Sequence, residues 1–353
     1  MSLKYPRKKT LILFLCVLIL SAFFAGCEKS QKKSETVKRD EFSIAVFVPG
    51  ITEGSPIYEM LVAGTRKAAE ESQGVKVDVI EGGFNQAEWQ EKVTSLAATK
   101  SYDLIISSNP AMPDICAAVA KDFSHQKFAV MDGYLKDHPQ IFTLLFNQKE
   151  QAFLIGYMGG LATKSELPGA NPDLKVGMVV GQQYPVMDKA IRPGFEIGLQ
   201  QVDPKIKLDF RVIGNWYDAN KAADLAGSIF DAGSDVILAI AGGANQGILK
   251  TAKERGKYVL WFDTNGYAMA PGTIIGCTIL RNDKAAYETV RLAIEGKLPF
   301  GTAKQVGVRE GYIDFITDDK LFIENVPLPI RETMESRVQA FKTGEVHYPM
   351  PDF

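Results

Sequence analysis

Two pairs of side chains in this chain of 353 residues have the types and the spacing for binding chemistry. Phe84 and Trp216 lie 132 residues apart, and Asp132 and Asp263 lie 131 apart. Each stands at or just beyond the end of an apolar, β-branched run that reads as a strand. Aromatic rings opposed across a cleft can sandwich a planar ligand, with roughly 0.5–1.5 kcal/mol per stacked pair beyond area burial. Carboxylates at strand ends accept hydrogen bonds from hydroxyl or ring N–H groups, and charge-assisted bonds are the stronger kind. Tyr58 opens the first helical pattern, Tyr184 follows the matching strand further on, and Tyr217 adjoins Trp216. Arg281 follows an apolar run and can donate as a planar fork. Asn109, Asn147 and Gly243 complete the candidate set. Each member also has a plainer reading. Phe84 or Trp216 could pack a loop against a helix, Asp132 and Asp263 could cap helices, and Arg281 could sit in a surface ion pair.

Catalysis finds little support. No Ser occupies a nucleophile elbow, no Cys–His pair has a plausible partner, and paired carboxylates alone do not select an acid and a base. The three histidines, His125, His138 and His347, lie far apart and none is near a Cys, so no metal site is expected. The glycine-rich turn Ala241–Gly247 stands between a strand and a helix, as a phosphate cradle would, but lacks the Lys of a P-loop. Close approach of backbone to a neutral ligand suits it better.

The elements that must position these residues form a repeat. Sliding the chain by 132 residues lays Ile44–Val48 on Val176–Val180, Gly82-Gly83-Phe84 on Gly214-Asn215-Trp216, and Asp103–Ile106 on Asp235–Leu238. A one-residue slip lays Phe128–Asp132 on Val259–Asp263. Strands alternating with helical patterns predict two α/β lobes, each a doubly wound parallel sheet, separated by a hinge and a cleft. Ligands of such sheets sit beyond the carboxyl ends of the strands, where both pairs fall. Residues 42–145 with about 278–302 are expected in the first lobe, and 146–277 with about 303–353 in the second.

Composition agrees with a soluble globular protein with substantial cores: 46% hydrophobic, 23% charged and a net charge of −2, with no basic bias toward nucleic acid. At the amino terminus, Lys4, Arg7, Lys8 and Lys9 precede an apolar stretch from Leu11 to Phe24 that is short for a membrane span. The stretch ends in Phe24-Ala25-Gly26-Cys27, which resembles a bacterial lipobox with Phe in place of the usual Leu. That resemblance implies a signal peptide over 1–26, removed by cleavage, and a lipid on Cys27. Without those residues the net charge becomes −6, since four positive and no negative charges leave. The polar segment 27–41 reads as a flexible tether. Cys116 and Cys277 sit in apolar contexts and read as two buried thiols rather than a disulfide.

Three further segments carry a family resemblance: Phe146–Gly156, Pro193–Gly198 with Val202-Asp203-Pro204, and Ala232–Ile237 followed by Ala241-Gly242-Gly243. They are similar to the basic membrane protein family, substrate-binding lipoproteins of the purine-nucleoside-receptor type, and the similarity spans the mature chain. The resemblance implies a type I periplasmic-binding-protein fold with three hinge crossings and a periplasmic, membrane-anchored monomer. It also implies an ABC permease and ATPase as partners, and a planar base with a polyhydroxylated chain as ligand. Asp132, Trp216, Asp263 and Arg281 fall at the family's ligand-contacting positions. The chain departs from the nucleoside receptors after its first strand, where Pro49–Tyr58 replaces an acidic, Asn-containing motif with apolar Ile51, Pro56 and Ile57. That departure suits a wider ring, and the chain looks closest to the family's riboflavin-uptake lipoproteins. The ligand expected is therefore riboflavin, transported rather than held as a cofactor, with a purine nucleoside as the alternative. A surface enzyme acting on nucleosides or flavins, or an antigen with a vestigial pocket, are the readings from other classes.

Overall fold

The computed structural model describes residues 41–351. The expected signal peptide, the lipidation position Cys27 and all of the expected tether except Glu41 lie outside the described residues. Short runs rich in Val, Ile and Phe form twelve strands among the described residues, in two sheets of six. The first sheet holds β1 (Phe42–Val48), β2 (Val75–Glu81), β3 (Leu104–Ser108), β4 (Lys127–Met131), β5 (Ile141–Phe146) and β11 (Ala303–Val306). The second holds β6 (Lys175–Val180), β7 (Lys207–Val212), β8 (Val236–Ile240), β9 (Tyr258–Trp261), β10 (Ile274–Leu280) and β12 (Ile313–Phe315). Their orders, β11-β5-β4-β3-β1-β2 and β12-β10-β9-β8-β6-β7, are the same strand order twice. All the pairings are parallel except β10 with β12.

Helices cover both faces, so the central strands are buried on both sides and read as continuous apolar runs. In β1 the alternation is visible: Ala45 and Phe47 join the cluster containing Trp89 and Val93, whereas Ile44, Val46 and Val48 join the one containing Leu61 and Ala286. The first lobe packs α1 (Pro56–Glu70), α2 (Trp89–Ala98), α3 (Met112–Ala120) and α8 (Asn282–Ile294). The second packs α4 (Gln148–Thr163), α5 (Arg192–Val202), α6 (Ala219–Asp231), α7 (Asn245–Glu254), α9 (Lys320–Asn325) and α10 (Leu328–Thr343). Helices α4 and α5 approach through glycines. A Cβ on Gly156 would meet the Phe195 carbonyl oxygen at 2.3 Å, and one on Gly198 would meet the Phe153 carbonyl oxygen at 2.3 Å. Cys116 and Cys277 are buried free thiols.

The chain passes between the sheets after Phe146, after Leu280 and after Val306. The third crossing comes later than the expected boundary at about 302, because β11 pairs with β5 through Val306. The C-terminal segment lies over two of these crossings. Asn147 Nδ2 donates to the Tyr348 carbonyl oxygen at 2.9 Å, and His347 Nδ1 lies 2.7 Å from Glu150 Oε1. Glu150 Oε2 in turn accepts from the Val308 amide at 3.2 Å. The Tyr348 ring stacks on Phe153 with centroids 4.8 Å apart.

Candidate functional site between the lobes

Strands β4 and β9 end at equivalent places, and the chain then turns through Asp132 at φ 54° and Asp263 at φ 70°. The left-handed region is costly for most L-residues and least so for Asn and Asp, whose short polar side chains bond locally. A strained backbone in the same place in both lobes is the kind of feature that functional sites retain. Neither residue caps a helix: Asp132 leads into an irregular segment before β5, and the turn Tyr267–Met269 beyond Asp263 is capped by Gly266. Both carboxyl groups lie in the cleft. Burial, and then the nearby Asp263, raises Asp132 to about 7, and burial raises Asp263 to about 6.

The two acids differ in their partners. Asp263 Oδ1 accepts from Gln151 Nε2 at 2.9 Å, which offsets part of the effect of burial. Asp132 Oδ1 is covered and has no hydrogen-bond partner among the described residues. A covered carboxyl oxygen without a partner costs free energy, so it is a place where a ligand hydroxyl, able to donate or accept, would be gained.

Aromatic side chains flank the acids. Burial, and then the charges of Asp132 and Asp263, hold the Tyr184 phenol protonated. Its ring lies 6.3 Å from Trp216 at an interplanar angle of 48°. Trp216 sits flat on Gly181, where a Cβ would fall 2.5 Å from the indole, and the turn at Gly242 holds its backbone. Its carbonyl oxygen accepts from the Ala244 amide at 3.2 Å. The expected glycine turn around Gly243 therefore supports the aromatic as well as approaching the cleft. Trp216 keeps 38% of its surface exposed. From the first lobe, Tyr58 donates to the Pro49 carbonyl oxygen at 3.1 Å, and Asn109 Nδ2 donates to Tyr58 Oη at 3.4 Å. Burial raises the Tyr58 phenol, with Asp132 adding to the effect. Phe84 stands at the rim beside Gly50, 76% exposed, together with exposed Ile51 and Tyr217.

Tyr58, Asn109, Asp132, Tyr184, Trp216 and Asp263 are thus brought to one cleft, with Phe84 and Gly243 at its edge. Two candidates are engaged elsewhere. Asn147 caps α4, accepting from the Glu150 amide, and its amide group serves the C-terminal segment. Arg281 is committed to a two-bond fork with Asp283, both at 3.1 Å, at the start of α8. Both positions lie at the crossings, Asn147 after β5 and Arg281 after β10. Gln151 is a residue that sequence reasoning misses. It is fully buried in the first turn of α4 and bonds both Asp263 and Thr278 Oγ1, the latter at 3.2 Å. Among the described residues no cluster of His, Cys, Asp and Glu could hold a metal ion.

Two doubly wound lobes joined by three crossings, with acids and aromatics gathered between them, have the architecture of the type I periplasmic-binding-protein fold. Solved structures agree on the fold. An ABC transporter solute-binding protein from Aeropyrum pernix superposes with a TM-score of 0.74 at 20% identity, over 88% of this chain and 94% of that one. A carbohydrate transporter solute-binding protein from Agrobacterium radiobacter, solved with D-arabinose, gives 0.60 at 18% identity, over 84% of this chain and 99% of that one. Residues 42–342 match the model of the PnrA-like ABC transporter substrate-binding proteins, and the chain belongs to that family. Among its relatives, Basic membrane protein A1 of Borrelia garinii is 24% identical over 96% of this chain and 95% of the relative. An ABC transporter nucleoside-binding protein of Lactococcus lactis is 28% identical over 44% of this chain and 42% of the relative.

Proposed function

We propose that this substrate-binding protein captures riboflavin in the interlobe cleft and delivers it to an ABC permease and its ATPase. The observation that carries the reading is the facing pair of strand-end carboxylates, one from each lobe, flanked by aromatic rings of both. A planar ring would stack against Trp216 and Tyr184, and a hydroxylated chain would satisfy Asp132 and Asp263. The apolar loop with Ile51 and Ile57 favours a wide, weakly polar ring over a purine edge. Binding and release is the whole reaction, so no turnover is expected.

Closure over the ligand would hide it from water and present a surface formed by both lobes to the permease. No helix of the described residues is long and apolar enough to cross a membrane. We assign attachment to lipid on Cys27, with the lobes outside the cytoplasmic membrane and the protein monomeric.

The second reading is a purine nucleoside, favoured by the relative named as nucleoside-binding. The test is the visible spectrum of the unlipidated protein purified without added ligand. A flavin band that survives gel filtration, or quenching of added riboflavin fluorescence, is the expected result. A colourless protein that quenches no riboflavin but is stabilised by inosine or guanosine replaces riboflavin with a nucleoside.

A further inference from the structure

The cleft acids are equivalent by repeat and unequal by environment. Gln151 is fully buried in the helix that follows the first crossing, and its amide nitrogen divides between Asp263 Oδ1 at 2.9 Å and Thr278 Oγ1 at 3.2 Å. Thr278 is itself buried on β10. The amide nitrogen is therefore held between the strand and the acid, while Gln151 Oε1 is buried without a partner among the described residues. Asp132 has no counterpart to this donor, and its Oδ1 is covered without a partner.

We propose that Gln151 is a positioning residue that fixes Asp263 as an ionised acceptor and leaves Asp132 to carry the proton, so that the pair offers a ligand one acceptor and one donor. The physical basis is that two carboxyl groups sharing a buried cleft do not both ionise freely, and the one with a fixed N–H donor keeps its charge more easily. The groups facing them are phenols: Tyr58 and Tyr184 feel Asp132, and Tyr184 also feels Asp263. Arg281 is paired with Asp283, and no cation is among the groups that shift either acid. The ordering of the two acids, about 7 for Asp132 and about 6 for Asp263, runs the same way. A one-donor, one-acceptor pair prefers a ligand presenting both a hydroxyl and a free acceptor, and it disfavours one presenting donors only. This inference rests on the cleft being the ligand site, but the state of the acids can be read without any ligand.

The experiment is a pH titration of the protein labelled with ¹³C at the Asp carboxyl carbon, ligand removed. Asp132→Asn and Asp263→Asn assign the two cleft signals. The expected result is that the signal lost in Asp132→Asn is the one with the higher midpoint in the unaltered protein. In Gln151→Met the Asp263 midpoint should rise, and riboflavin or inosine, whichever the unaltered protein binds, should bind about tenfold more weakly. The acid limb of its affinity profile should move to higher pH, which loss of packing alone would not do. An Asp263 midpoint equal to or above that of Asp132, or one unmoved in Gln151→Met, overturns the proposal. Should Gln151→Met fail to fold, the ordering in the unaltered protein still decides. If neither probe binds the unaltered protein, the functional reading fails, while the carboxyl titration still establishes or overturns the ordering of the acid pair.

Discussion

At Asp132 the backbone and the charge both work against the folded state, and they respond to different substitutions. The carboxyl is raised from 3.8 to about 7, so the folded chain holds its proton more tightly than the unfolded chain does. Stability from this group is therefore fully present below about pH 4 and is lost as pH rises through about 7. Asn keeps the short polar side chain that tolerates the left-handed backbone and removes the titration. Asp132→Asn should be more stable than the ligand-free parent at pH 8 by about 1–3 kcal/mol, with the gap closing toward pH 5. Thermal unfolding at the two pH values checks this; a gap that grows on acidification would contradict the assignment. The acids themselves are legible in the sequence, because the repeat puts both at strand ends. Gln151 is not: a glutamine in the first turn of a helix looks like any polar residue until β10 and Asp263 are folded against it. Asn147 caps α4, and a local signal of that role exists, since Asn147 with Glu150 three residues later is a helix-start pattern.

Among the elements, the hinge helix α4 depends on shape more than on propensity. Its glycine at 156 is set against the backbone of α5, and the reciprocal Gly198 is set against α4. Gly156→Ala should cost about 2–3 kcal/mol through overpacking, read as a lower urea midpoint with an unchanged slope. The contrast is Gly296→Ala, where nothing lies within 4 Å of the new methyl and the cost comes from φ +67° alone. That cost is roughly 1–2 kcal/mol, so the two substitutions separate clash from conformation. The eight strands of the repeat, β1–β4 and β6–β9, show in the sequence pattern. β11 (Ala303–Val306) is largely polar, and β12 spans only Ile313–Phe315, so neither carries a pattern of its own. Both are edge strands, and without a pattern for β11 the sequence places the third crossing too early.

For the whole molecule, the doubled topology is readable because each half repeats the same strand order, and the offset of 132 residues survives from the first strand to the third. What no repeat could show is the C-terminal segment, which has no counterpart in the first half. Ending the chain at Gly344 removes the Tyr348 ring from Phe153 and the His347 imidazole from Glu150. Glu150 would then be left buried, with the Val308 amide still donating to it. We expect a loss of roughly 2–4 kcal/mol and faster amide exchange around Gly307 and Val308 than in the intact chain. Unchanged exchange there would show the segment to be a passive tail. The three crossings have one more consequence, best put as kinematics. Two bodies joined by a single segment can swing and twist in every direction, but three connecting segments, two of them under a strap, leave little except rotation about one axis. Such a joint turns occupancy of the cleft into one distance change. A dye pair placed on the outer faces of α2 and α6 would then report ligand as a single, calibratable signal.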